Sequence, residues 1–363
     1  MSKSIPEQMA GVQLIGHGGY DQLVYRTDIP TPHPAAGEVL MRVGACGVNN
    51  TDVNTRIGWY SKEVTDGTNS GGEGFDRINA DDAAWGGWPL ELPRIQGADG
   101  AGHIVAVGDG VDVGRIGQRV MRRAMAPIRD SDAPMACFTY GSERDGAFAQ
   151  YATAVSEDAL VVNSSWTDAE LASMPCAAST AEGMLDRVSV GAERVLITGA
   201  SGGVGAACVQ LAKRRGAHVI AISGAAKVDA VQELGADEVF DRDADLMAEL
   251  GANSVDAALD VVAGPGFGTL LDLLRPGGRY GTVGAIAAPI VDLDVRTLYL
   301  KDLSMFGSTF QRDEIFENLI RYIEADDIKP TVAMTFPLEE IVAAQQAFLE
   351  KKHVGKIVLI PPA

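Results

Sequence analysis

The chain has 363 residues, 46% of them hydrophobic, and carries 49 acidic against 30 basic side chains for a net charge of −19. That length predicts two domains with sizeable cores, and the charge argues against nucleic acid or an anionic membrane as partner, because phosphate would be repelled. Four scattered cysteines, Cys46, Cys137, Cys176 and Cys208, make no disulfide framework, so a reducing, cytoplasmic compartment is expected.

Residues 1–10 mix one proline with charges and have no apolar core, so no signal peptide is expected, and no run is long enough to span a bilayer. Up to about residue 160 the chain reads as short strands between Pro/Gly turns: 11–15, 23–27, 38–45, 102–107, 119–121 and 148–154. Their spacing suggests a small barrel or sandwich. Residues 61–93 interrupt it with a stretch rich in Gly, Asp, Asn and Ser, ending near Trp85-Gly86-Gly87-Trp88. So long an irregular segment is either functional or a mobile, solvated excursion.

From Thr167 strands and helices alternate. Helical stretches are expected at 168–173, 176–188, 228–234, 244–250 and 266–274, and strands at 219–222, 238–240, 255–261 and 280–283, with a sharp turn at Arg275–Arg279. This grammar predicts a doubly wound parallel sheet covered on both faces, an α/β fold. A further strand is expected at 302–306, amphipathic helices at 315–323 and 338–349, and a closing strand at 356–360.

At the centre of that half lies Arg194–Val219, read as strand, turn, helix (206–215) and strand. The turn is Gly199-Ala200-Ser201-Gly202-Gly203-Val204-Gly205. Such a turn lets backbone N–H groups close on a pyrophosphate at a helix N-terminus, and here strand and helix stand where a dinucleotide site needs them. The second strand ends in Ser223-Gly224 rather than in the carboxylate that would accept from an NAD ribose. Ser223 can donate to a 2′-phosphate, with Lys227 and Arg242 as candidate cations, so NADPH is expected over NADH. Chance surface charges are the alternative.

Several motifs, in order, resemble the medium-chain dehydrogenase/reductase superfamily. They are Gly44-Ala45-Cys46-Gly47-Val48-Asn49-Asn50-Thr51-Asp52, Gln96-Gly97-Ala98-Asp99-Gly100-Ala101-Gly102, Gly117-Gln118-Arg119-Val120, Gly146–Tyr151, Ser179-Thr180-Ala181, the glycine turn and Gly355–Leu359. The resemblance covers nearly the whole chain. It implies a GroES-like, β-rich catalytic domain from both chain ends (1–165 and 311–363), a Rossmann domain binding NAD(P)H between them (166–310), and an active site in the cleft. It also implies a homodimer pairing through 302–309.

Alcohol dehydrogenases of this superfamily hold zinc with Cys, His and Cys. Here those positions read Asn49, Ala98 and Cys176, and one soft ligand cannot hold zinc. Cys46 lies three residues too early, and the four-cysteine structural lobe is absent, so no metal is expected. His17, His33, His103, His218 and His353 show no ligand spacing. The pattern resembles the zinc-lacking quinone oxidoreductase and enoyl reductase branch, which Val53–Tyr60 follows through Arg56, Gly58 and Tyr60, although Asn54 replaces a substrate-side tyrosine.

By this resemblance Thr180 contacts the nicotinamide, Val283-Gly284-Ala285 and Phe306-Gly307-Ser308 back it, and Lys356 reaches the pyrophosphate. Without zinc, alcohol oxidation lacks its electrophile, whereas reducing an activated C=C bond needs only hydrogen-bond donors at the enolate oxygen and a proton. Tyr60 and Asn49 are the candidate donors. The expectation is a zinc-independent, NADPH-dependent reductase of a small quinone or α,β-unsaturated carbonyl. An alcohol or polyol dehydrogenase, and a dinucleotide-binding sensor with little turnover, are the rival readings.

Overall fold

A computed structural model of the chain describes residues 5–129 and 131–363. The first four residues of the amino-terminal stretch lie outside the described residues. Among the described residues no helix is long and apolar enough to cross a membrane.

Six parallel strands form the sheet of the central region, in the spatial order Glu238–Asp241, His218–Ser223, Arg194–Ile197, Val255–Asp260, Leu274–Thr282 and Ser304–Gly307. Numbered along the chain this is 3-2-1-4-5-6, the doubly wound order whose strand reversal opens a crevice at the carboxyl ends of its first strands. Period-2 alternation sends neighbouring side chains to opposite faces. Val195 and Ile197 pack with Leu211, Ala212 and Phe316 on one side, while Leu196 packs with Ile220, Phe267 and Leu270 on the other.

The remaining strands form a β-rich region from both ends of the chain. Glu38–Gly47 pairs with Gly100–Val107, Tyr151–Val155 and Lys356–Ile360, all antiparallel, and Lys356–Ile360 pairs in parallel with Val332–Pro337. A smaller sheet joins Leu23–Pro30, Gln8–Leu14 and Arg94–Ile95. The residue 355–356 junction touches the central region directly, because Gly355 N donates to Ser201 O at 2.9 Å.

Several elements differ from expectation. The helix after the glycine turn starts at Gly203, capped by Gly202, three residues before the expected Ala206, so the turn's last glycines are its first helical residues. The expected strand 280–283 begins at Leu274, because Leu274 pairs with Val255 across an irregularity that absorbs the Arg275–Arg279 turn, where Gly277 has φ +75°. Helix Asp313–Glu324 lies beyond the expected boundary at 311, yet its Phe316, Leu319 and Ile323 share the core of the parallel sheet. Its apolar residues recur at helical spacing, and helix Pro175–Val188 offers the buried surface they cover.

Residues 61–93 contain a short 3-10 turn, Thr68–Gly71, and several tethers. Trp59 Nε1 donates to Asp66 O at 2.9 Å, Thr68 Oγ1 donates to Asn54 Oδ1 at 3.0 Å, and Gly86 N donates to Glu143 Oε1 at 2.9 Å. One tether reaches the central region, from Thr68 N to Ile286 O at 3.1 Å. The segment is an anchored strap, with Thr68, Ala83 and Ala84 buried.

Candidate active site: a glycine turn beside a buried charge network

Strand Arg194–Ile197 delivers the chain into the turn with Gly199 at φ +58°, a left-handed conformation that a side chain resists. The turn closes tightly: a Cβ on Gly205 would lie 2.2 Å from Gly199 O. Gly202 N donates back to Gly199 O at 3.0 Å, and Gly203 and Val204 then open the helix beside Ala200 and Ser201 with backbone N–H groups that no intrahelical carbonyl meets. Beneath the turn Asp260 is buried and fully engaged. It accepts from Thr198 Oγ1 at 2.5 Å, Tyr280 Oη at 2.8 Å and the backbone N–H of Val262 at 2.9 Å. A carboxylate ending the fourth strand was the available sequence signal for this support, and the motif reading passed over it.

At the end of the second strand, Arg242 N donates to Ser223 O at 2.7 Å. The Arg242 side chain lies over Gly224, where a Cβ would meet Nη2 at 2.6 Å. Lys227 stands beside them, its Nζ 3.4 Å from Ser201 Oγ and 2.5 Å from Lys351 O. Burial, followed by repulsion from Arg242, lowers the Lys227 pKa. Burial and the nearby Lys227 and Lys356 pull Lys351 down to about 7. Ser223, Gly224, Lys227 and Arg242, expected together, are together, and they fit a phosphate.

Lys356 departs from its expected direction. Its stem crosses the helix start, since a Cβ on Gly203 would meet Lys356 Cδ at 2.7 Å. Its ammonium points into the β-rich region, donating to Val48 O at 2.8 Å, pairing with Asp99 Oδ2 at 2.9 Å and bonding Asn49 Oδ1. Asn49, expected as a donor to substrate, has both amide hydrogens occupied. Its Nδ2 donates to Asp99 Oδ2 at 2.8 Å and Gly47 O at 3.3 Å. Asp99 Oδ1 accepts from Cys176 N at 2.6 Å, and Asp52 Oδ2 accepts from Asn49 N at 2.8 Å. Burial raises Asp52 to about 6 and Cys176 to about 12. Asp52 and Asp99 were missed as site residues, although Asn49-x-x-Asp52 spells a helix-capping box.

Tyr60 follows helix Asn50–Ile57, and its Oη donates to Thr51 Oγ1 at 3.2 Å. Burial raises its pKa to about 12, so the hydroxyl keeps its proton at neutral pH. Thr180 stands one turn after Cys176 on helix Pro175–Val188, with its hydroxyl close enough to hydrogen-bond the Cys176 thiol. Trp59, the sequence neighbour of Tyr60, lines a cleft of about 590 Å³ whose lining includes neither Tyr60 nor Thr180. Val283, Gly284, Ala285, Gly307 and Ser308 line it, whereas Phe306 turns its half-buried ring into the sheet core. The opposite wall carries Trp59 and Met135. Among the described residues no three His, Cys, Asp or Glu side chains converge in a metal-binding group.

Comparison with known proteins gives the same layout. Residues 35–164 match the alcohol dehydrogenase GroES-like domain family, and residues 203–325 the zinc-binding dehydrogenase family. The chain is 28% identical to Homo sapiens quinone oxidoreductase, over 97% of this chain and 98% of that protein. It is 26% identical to the acryloyl-coenzyme A reductase of Metallosphaera sedula, over 97% and 99% of the two chains. A solved structure from Sinorhizobium meliloti 1021, provisionally designated an alcohol dehydrogenase, is 46% identical and superimposes with TM-score 0.88, covering 99% of this chain and 98% of that one.

Proposed function

The chain belongs to the medium-chain dehydrogenase/reductase superfamily and is an NAD(P)H-dependent oxidoreductase, and within that family we propose that it is a zinc-independent, NADPH-dependent reductase of quinones or α,β-unsaturated carbonyls. The observation that carries this reading is the Lys356 ammonium bonded to Asn49 and paired with Asp99, beside Cys176. This donor set does not fit zinc. Asn49 offers a neutral amide already in use, Ala98 offers none, the Cys176 thiol is held protonated, and a buried cation is already in place.

Ser223, Lys227 and Arg242 support the preference for a 2′-phosphate, and the glycine turn supports pyrophosphate binding. Bound there, NADPH supplies hydride to the electrophilic carbon of the substrate. Thr180, Val283, Gly284, Ala285, Gly307 and Ser308 are assigned to the nicotinamide pocket. Tyr60 is assigned as donor to the oxygen that gains charge, because its elevated pKa keeps the proton available for hydrogen bonding. Asn49 becomes a positioning residue that orients Asp99 and Lys356. The unpaired edge strand Ser304–Gly307 is assigned to a second copy, giving a dimer.

Purified enzyme assayed for NADPH consumption against quinones, enones, enoyl thioesters and aldehydes, with metal content measured in parallel, tests the proposal. Quinone or enone turnover without bound metal is expected. The Sinorhizobium meliloti relative favours alcohol oxidation as the second reading. Stoichiometric zinc together with alcohol turnover would establish that reading instead.

A further inference from the structure

Arg187 stands in the last turn of helix Pro175–Val188 and lines the cleft. Its situation is unusual in two respects. No Asp, Glu or Lys accompanies it, so among the described residues it is the one charged side chain in the cleft lining. Every other buried or half-buried arginine of the described chain has a hydrogen-bond partner, from Arg56 with Gln345 to Arg215 with Glu182 and Arg279 with Glu193. Arg187 has none. Its sequence neighbour Asp186 is bonded instead to Arg312 at 2.9 Å.

No Arg187 nitrogen is among the buried polar atoms left without a partner, so its N–H donors face the cleft and stand open to an incoming acceptor. The helix C-terminus beside it supplies a favourable dipole worth a few tenths of a kcal/mol to about 1, but no acceptor atom in the cleft. In a chain of net charge −19, a cleft lined by one cation and no acid is a local reversal of the molecule's field, and it attracts an anion. Guanidinium geometry selects carboxylate or phosphate oxygens, which it binds through paired N–H donors. Thr180 lies on the same helix seven residues earlier, which sets the two about 10 Å apart along its axis. Apolar Trp59, Met135 and Phe310 line the same cleft.

We propose that Arg187 is a substrate-anchoring residue that binds a carboxylate or phosphate group carried on an apolar spacer. The proposal rests on the reductase reading and adds a substrate class to it: reducible carbonyl compounds with a distal anion.

The test uses the full-length protein with NADPH and matched substrate pairs. One arm compares ω-carboxy enones of increasing length with their methyl esters. The other compares a short enoyl-coenzyme A thioester with its neutral N-acetylcysteamine counterpart. Arg187→Met keeps an apolar stem and removes the charge, Arg187→Lys restores a charge, and NADPH affinity with circular dichroism checks the fold of each. The expected result is a lower KM for the charged member of one arm, raised about tenfold to a hundredfold in R187M and partly recovered in R187K, with the neutral member unchanged. The arm that responds identifies carboxylate or phosphate. Equal effects on charged and neutral members, or no preference for charge in the unaltered enzyme, overturns the anchor alone. Absence of NADPH consumption with every quinone, enone and thioester overturns the reductase reading and the anchor with it.

Discussion

Replacing Lys356 with Met strands the Asp99 carboxylate in a buried site, without the ammonium now 2.9 Å away. Removing one member of a buried ion pair costs about 3–5 kcal/mol, whereas removing both costs far less. K356M should therefore lower the urea midpoint by that equivalent, and adding Asp99→Asn should recover most of it. A K356M midpoint close to that of the unaltered protein would show that the pair contributes little. Lys351 governs a pH effect. Its free pKa is about 7, below the usual lysine value because of burial, with Lys227 and Lys356 adding repulsion. His353 in the same loop is depressed to about 4 and stays neutral here. The Lys351 ammonium donates to Asn50 Oδ1 at 3.2 Å yet lies close enough to be repelled by Lys227, so a phosphate bound at Lys227 should raise its pKa, and above pH 7 cofactor binding should take up a proton. The sign follows: NADPH affinity is unaffected by Lys351 titration well below pH 7 and falls as pH rises through 7 and beyond, up to about tenfold per unit. Lys351→Met should flatten the profile of the NADPH dissociation constant between pH 7 and 9, and an unchanged slope would remove Lys351 from the phosphate site.

Among the elements, the 61–93 strap holds the two walls of the cleft together. Gly67 fits only because it lacks a side chain, since a Cβ there would lie 2.4 Å from Ala287 O and 2.5 Å from Ile286 O. Gly67→Ala should break the bond between Thr68 N and Ile286 O and lift the strap. Substrate KM should rise several-fold and proteolysis within 61–93 should speed up, while NADPH affinity stays constant; a shifted affinity instead would place the strap on the cofactor. Legibility in the sequence followed local pattern. The strand, glycine turn and helix around Gly199–Gly203, and the cations Lys227 and Arg242, could be read because each is specified by residues within a few tens of positions. The direction of Lys356 could not, because it depends on Asp99 and Asn49, some 250 to 300 positions earlier, meeting it only after strand Lys356–Ile360 pairs with Glu38–Gly47. The strap was opaque for a related reason: its tethers join positions far apart in the chain, Thr68 to Ile286 and Gly86 to Glu143, and each uses a backbone atom that leaves no compositional trace.

For the whole molecule, the parallel sheet ends at Ser304–Gly307 with no strand beyond it among the described residues, and the chain leading into that strand exposes apolar side chains. Ile290 is 68% exposed, Leu300 71%, and Val295 and Tyr299 59% each. An unpaired, apolar edge is a template for another strand, and a second copy of the same edge meets that need with closed symmetry. Met305→Pro, which removes a backbone donor from the edge, should convert a dimer to a monomer in light scattering. A dimer that survives both this change and Leu300→Lys would place the interface elsewhere. The chain's order of emergence has a further consequence through the bond from Gly355 N to Ser201 O and the pairing of Lys356–Ile360 with Glu38–Gly47. Tyr151–Val155 covers Glu38–Arg42 early in synthesis, so only the Cys46–Gly47 end of that strand still waits for a partner made more than 300 residues later. Lys356–Ile360 caps that short end, and the residue before it, Gly355, latches onto the glycine turn through Ser201 O. The glycine turn therefore gains its last backbone support only after a strand made about 150 residues later has folded onto the β-rich region.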